Sequence, residues 1–333
     1  MSRKHTDEQP SDIVNRIEKV AIVGAGGNIG GYFVRELLKT GKHVVTALTR
    51  QGSSSTLPEG VISVAVDYED ASTLVAALKG QQFLIITLGV AAPPETQSKL
   101  IRAAAAAGVA YVMPNAYGPD PLNAQLMADV LVGPAVTAAT SEIEALGVSK
   151  WVLFGCGFWY EWSLLGGPDR CGIDSAGRTM TFFDGGDEKI TLSTWDQCGR
   201  ALAAFLSLKL HTDDDAPAIA RWANKCLYFA SFRVSQKDMF ESVKRVSGTT
   251  DADWKVSYVK SQERFKEAHE SVMKAGDALA FQRLFYSRVF FPTGEGDHTC
   301  HGLANEILGL PQGGLDDATK EAYRLLEQRR LTY

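Results

Sequence analysis

The chain has 333 residues, 45% hydrophobic and 22% charged, with a formal net charge of -5. That length can bury a large core and is long for a single compact unit, while a mildly acidic chain with scattered basic residues offers no field for nucleic acid. The composition demands no membrane span. The five widely spaced cysteines, with no C-x-x-C pair, argue against a disulfide framework or a zinc site and for a reducing compartment.

Residues 1–16 begin MSRKHTDEQPSD, polar and without the apolar run of a secretory leader, and read as a loose tail. The cytoplasm is the default location. Residues 19–24 (KVAIVG) are a short apolar run ending in glycine, the pattern of a buried parallel strand. Ile29, Phe33, Val34, Leu37 and Leu38 then recur at helical spacing as far as Gly41. Further strands are predicted at 43–50, 61–67, 83–89, 111–115 and 151–156. Between them Asp70 can cap one helix, and residues 96–108 form an alanine-rich one.

Strands alternating with helices imply a parallel sheet covered on both faces, because parallel neighbours need crossover connections. The fold class is therefore α/β, a doubly wound parallel sheet of the NAD(P)-binding Rossmann type. Residues 17–156 form that domain, with a returning helix and strand at about 193–232. Residues 157–192 and 233–333 form a smaller, mainly helical substrate lobe. There Ser235 and Asp238 resemble a capping box, and 264–291 and 316–329 are the longest helical patterns.

Between the first strand and the first helix stands G-A-G-G-N-I-G, residues 24–30. Glycines there permit a tight turn and close backbone approach, and the helix N-terminus offers free N–H groups to a pyrophosphate. Gly24, Gly27, Asn28, Ile29 and Gly30 are the expected cofactor contacts. The second strand ends in Thr49 and Arg50 followed by Q-G-S-S-S, where a chain preferring NAD would carry an acid. Arg50 and Ser53 suit a 2′-phosphate, so the expected cofactor is NADPH. Asp67, Leu88, Gly89 and Asn115 follow later strands at the same carboxyl edge and complete the cofactor set.

After the sixth strand comes G-F-W-Y-E-W, four rings and one carboxylate in residues 157–162. Phe158, Trp159 and Trp162 are expected to wall a flat substrate, since aromatic faces supply area with little loss of rotamer freedom. Tyr117, Tyr160 and Glu161 are the expected proton donors; a carboxyl buried among rings keeps its proton to higher pH. His298 and His301 flank Thr299 and Cys300, but Gly294, Gly296 and Gly302 mark a loop there, and no metal is expected.

The glycine motif, Arg50, P-N-A-Y-G after strand five, S-E-I-E-A-L-G before strand six, D-Q-C-G-R-A at 196–201 and E-I-L-G-L-P at 306–311 together resemble the NmrA-like and isoflavone-reductase-like branch of the atypical short-chain dehydrogenases. The likeness spans about residues 20–315 and is tighter in the first half. It is nearest to fungal members of secondary metabolism. It implies NADPH-dependent reduction of an aromatic or polyketide-derived small molecule held between the nucleotide domain and the lobe, with no nucleic-acid or membrane partner. A homodimer stays open. In plant members the segment after strand five reads P-S-E-F-G, and a lysine on the next helix is the catalytic acid or base. Asn115, Ala116 and Tyr117 stand at the first three variable positions here. The lysine position falls near Val136, and no ionisable residue lies between Asp129 and Glu142. Three readings follow: reduction with another proton donor, redox-neutral chemistry such as isomerisation, dehydration or cyclisation, or a non-catalytic dinucleotide sensor.

Overall fold

The structure is a computed structural model that describes residues 15–53, 56–89 and 92–328. The nucleotide domain runs β1 (Lys19–Val23), α1 (Asn28–Lys39), β2 (Val44–Arg50), β3 (Ile62–Val66), α2 (Ala71–Leu78), β4 (Phe83–Ile86), α3 (Thr96–Ala107), β5 (Tyr111–Met113), α4 (Ala124–Asp129), α5 (Gly133–Leu146) and β6 (Lys150–Gly155). Every residue of β4 and β5 is buried, as a strand covered on both faces requires. The Asp70 side chain accepts from the Ser72 amide at the start of α2. Gly108 and Gly147, both left-handed, end α3 and α5.

The chain continues through β7 (Phe158–Trp159), α6 (Tyr160–Leu164), β8 (Ile173–Asp174), β9 (Thr179–Phe183) and β10 (Lys189–Ser193). It then returns to the nucleotide domain with α7 (Trp195–Leu206) and β11 (Lys225–Tyr228). The lobe is completed by β12 (Phe232–Ser235), α8 (Gln236–Ser247), β13 (Lys255–Val259), α9 (Ser261–Ala275), α10 (Ala278–Val289) and α11 (Leu315–Glu327).

The main sheet has seven strands in the order β11-β6-β5-β4-β1-β2-β3, all parallel. One face packs Leu74, Leu100 and Ile143 of α2, α3 and α5. The other packs Phe33 and Leu37 of α1 with Leu202 and Leu206 of α7. This is the doubly wound Rossmann arrangement, and β11 is its returning strand. No helix among the described residues is long and apolar enough to cross a membrane.

The lobe is mainly helical, with α8 to α11 its longest elements, and short strands run between the helices. It carries two three-stranded sheets, β12-β10-β7 and β13-β9-β8, whose strands span two to five residues each and leave little periodic signal. The helical pattern over 264–291 is two helices. Gly276, at φ +62°, ends α9, and Asp277 caps α10 by accepting from the Leu279 and Ala280 amides. The Ser235–Asp238 capping box forms as expected. Most of the expected tail, residues 1–14, lies outside the described residues, but Asn15 is tied down: its side chain donates to the His211 carbonyl and accepts from the His211 amide, each at 2.9 Å.

A methyl group added at Gly276 meets nothing within 4 Å, so Gly276→Ala isolates the cost of the left-handed backbone. Urea melts should show a loss of about 1 kcal/mol. An unchanged midpoint would mean that the α9–α10 corner relaxes without strain.

Candidate functional site

The glycine turn lies where β1 meets β4. Gly24 has φ +79°, and a methyl group there would overlap the carbonyl and hydroxyl of Thr87; one on Gly30 would overlap the Gly24 carbonyl. Thr87 locks the arrangement, its amide and hydroxyl donating to the Val23 carbonyl at 3.0 and 2.7 Å. Gly27 is the N-cap of α1 and no side chain caps the helix. Ile29 is buried and Asn28 exposed. The first amides of α1, with the positive end of its dipole, therefore open at the carboxyl edge of the sheet, an arrangement that suits a phosphate.

The other expected cofactor residues share that edge. Arg50 ends β2, exposed and opposite Val66 of β3, and Asp67 follows Val66, its side chain accepting from the Glu69 amide. The Ser53 amide donates to the Arg50 carbonyl at 3.0 Å; Ser54 and Ser55 lie outside the described residues. Leu88 is half-buried and Gly89 exposed. The Asn115 side-chain amide donates to the Leu88 carbonyl at 3.1 Å, and its backbone N–H to Gln97 Oε1 at 2.7 Å, tying together the ends of β4 and β5.

The aromatic residues after β6 divide between tasks. Phe158 stacks on Tyr286 at 4.3 Å and meets Phe285 edge-on at 5.0 Å, joining β7 to the lobe. Trp159 is half-buried, 6.4 Å from Tyr117 and 6.2 Å from Trp195. Trp162 lies under the Arg170 guanidinium, 4.0 Å from its ring centre, and that side chain also donates to the Trp162 carbonyl and to Gln282. Tyr117 sits beside Phe33 and donates its hydroxyl to the Ile86 carbonyl at 3.1 Å. Burial raises its phenol pKa well above the usual value.

Tyr160 has no place at the cofactor edge, which corrects its reading as a proton donor. It is fully buried against Phe232, and its hydroxyl shares a hydrogen bond of 2.7 Å with Thr319 of α11, which also bonds Ser242 of α8. Its role is packing.

Glu161 is only 2% exposed, and both carboxyl oxygens lie 3.1–3.2 Å from the Trp195 amide at the start of α7. A helix N-terminus favours the charged form. Here burial wins, raising the pKa to about 8; the Asp196 and Glu321 carboxylates add to the rise, while backbone hydrogen bonds oppose it.

One polar cluster at this edge was missed. Asp120, in the segment after β5, is buried and approaches His301 Nε2 at 2.7 Å, while its other oxygen accepts from the Tyr228 hydroxyl at 2.6 Å and the Leu122 amide at 3.0 Å. His301 stacks on Tyr228, ring centres 4.4 Å apart. Its three members come from segments far apart in the chain, and the only local signal was the H-T-C-H run. Val136, at the expected lysine position, faces the core of α5.

Because Glu161 keeps its proton in the folded state to about pH 8 but loses it near its ordinary value when unfolded, the wild-type protein should lose stability as pH rises through roughly 5 to 8. Glu161→Gln should remove that slope and melt higher than the wild type at pH 8. Parallel stability profiles for the two proteins would show that the carboxyl is not held neutral.

Comparison with known proteins follows the same geometry. Residues 17–130 match the NmrA-like family. The oxidoreductase aprR of Aspergillus flavus is 27% identical over 306 residues, covering 90% of this chain and 96% of that protein. The solved structure of an isoflavone reductase superposes with a TM-score of 0.69 at 21% identity, over 93% of this chain and all of that one. AtPrR2 with NADP+ and (+)pinoresinol superposes with a TM-score of 0.63 at 18% identity, over 94% and 96%. Residues 17–130 are thus similar to the NmrA-like family, on a fold shared with the isoflavone reductase structure.

Proposed function

We propose that the protein is an NADPH-dependent reductase of an aromatic or polyketide-derived small molecule, acting on a C=O or a conjugated C=C. The uncapped N-terminus of α1, set by the Gly24–Gly30 turn at the carboxyl edge, carries this reading. The similarity to a fungal oxidoreductase over nearly its whole length supports it, as does a neighbour on the same fold that holds NADP+ beside an organic ligand. Arg50, exposed at the end of β2, is the residue for the 2′-phosphate, with Ser53 and Asp67 beside it. Leu88, Gly89 and Asn115 would border the nicotinamide, which would supply the hydride for the acceptor. Trp159, beside Tyr117, would form the aromatic side of the acceptor site, whereas Phe158 and Trp162 are taken up in packing against the lobe.

A non-catalytic dinucleotide sensor is the second reading, favoured by one observation: the position of the plant reductases' lysine is held by the buried Val136. Of the donors expected from sequence, Tyr117 and Glu161 remain on the cofactor side, yet each has its polar atoms engaged inside the protein.

Titration of the purified protein with NADPH and NADH, followed by nicotinamide and tryptophan fluorescence, separates these readings. NADPH should bind the wild type more tightly than NADH. Arg50→Ala should weaken NADPH about tenfold or more and leave NADH unchanged, the loss of one charge-assisted contact. Oxidation of NADPH by a panel of aryl ketones, enones and quinones then distinguishes reductase from sensor. Binding without turnover of any of them favours the sensor, and binding of neither nucleotide overturns both.

A further inference from the structure

We propose that His301, oriented by Asp120, delivers the proton to the carbonyl oxygen of the acceptor; the proposal rests on the reductase reading above. Three segments build the position. Asp120 lies three residues beyond Tyr117 in the chain leaving β5. Tyr228 closes β11, the neighbour of β6, and its carbonyl accepts from the Ala304 amide at 2.8 Å, which pins the 299–304 turn over the strand end. The imidazole thus sits at the carboxyl edge of the parallel sheet, where ligands of such sheets bind.

Its chemistry fits the task. The His301 side chain is 40% exposed, whereas the Asp120 side chain is 7% exposed, so the carboxylate is fixed and the imidazole accessible. With Nε2–H directed at Asp120 and the ring plane set by stacking on Tyr228, the Nδ1 proton is the one available for transfer. His298, three residues earlier, has the opposite character. It is buried, its Nδ1 lies 2.9 Å from the Thr191 hydroxyl and its Nε2 3.3 Å from the Phe229 carbonyl, and burial lowers its pKa. The titratable groups that meet His301 are Asp120 from the β5–α4 segment and Tyr228 of β11, with His298 of its own loop near by; Cys226 of β11 lies beside Tyr228, and Asp297 beside His298 is paired with Arg233 of β12.

Bound NADPH would supply a hydride to the carbonyl carbon, or to the β-carbon of an enone. The displaced π electrons reach the carbonyl oxygen, which takes the Nδ1 proton of the imidazolium. The products are NADP+, an alcohol or an enol that tautomerises to the ketone, and neutral imidazole, which water reprotonates.

The test is the pH dependence of kcat for NADPH and benzylideneacetone with the full chain. In the wild type kcat should fall toward high pH as a general acid is lost. His301→Gln should lose about 10² to 10⁴ in kcat and lack that fall, with NADPH affinity unchanged. Asp120→Asn should lower kcat with NADPH affinity unchanged, because the imidazole loses the carboxylate that orients it. Since Asp120 also holds Tyr228, Tyr228→Phe, which keeps the ring against the imidazole and takes one partner from Asp120, should lower kcat less than Asp120→Asn. His301→Lys should restore part of the rate with the fall displaced to higher pH, which a purely structural histidine would not allow. Wild-type kcat and pH profile in His301→Gln would overturn the proposal while leaving the reductase reading intact. A wild type that binds NADPH and oxidises none of it with benzylideneacetone or the rest of the panel would overturn both.

Discussion

The close approach of Gly24 to Thr87 is the constraint on which the rest of this molecule hangs. Because no side chain intervenes, the turn after β1 rests directly on the end of β4, and α1 starts against the sheet with its amides facing the ligand edge. α1 then descends with Phe33, Val34 and Leu37 buried. A second bare contact follows: Gly199 of α7 lies so near the Tyr32 backbone and the Glu36 side chain that a methyl group would not fit. That contact fixes the start of α7, and the Trp195 amide there holds Glu161 of the lobe. The glycine turn thus sets both the nucleotide edge and, through two helices, the angle at which the lobe meets it.

Much of the nucleotide domain was legible because its signals are local. A buried run such as FLII, a cap such as Asp70 and a stop such as Gly108 each act within a few residues, and the strand–turn–helix context made the glycine motif meaningful. The lobe was less legible because strands of two to five residues leave no period to read, and because Gly276, between two helices of similar pattern, reads as an ordinary helical residue until its φ is known. The G-F-W-Y-E-W run shows a further limit. Successive residues of β7 point to opposite faces, and those of α6 turn by roughly 100° each, so four neighbouring rings cannot share one pocket. Tyr160 accordingly turns inward to Thr319, and Phe158 joins the lobe, while Trp159 reaches toward Tyr117.

Two buried carboxyls near this edge show why burial alone does not assign a role. Glu161 meets only backbone amides, its own and that of Trp195, with Asp196 and Glu321 adding repulsion, so burial holds its pKa well above the usual carboxylate range. Asp120 is buried to a similar degree but meets Tyr228, Leu122 and His301, and each of its oxygens has a partner. The first environment favours the protonated carboxyl in a dry interior; the second pairs the carboxyl with an accessible imidazole. At Val136 the surroundings are apolar, so a lysine ammonium placed there in this chain would face a heavy desolvation cost. A proton source at this edge is therefore cheaper to hold on the sheet's β11 side, where Asp120 already provides the countercharge, than on α5, where nothing in the surrounding core would.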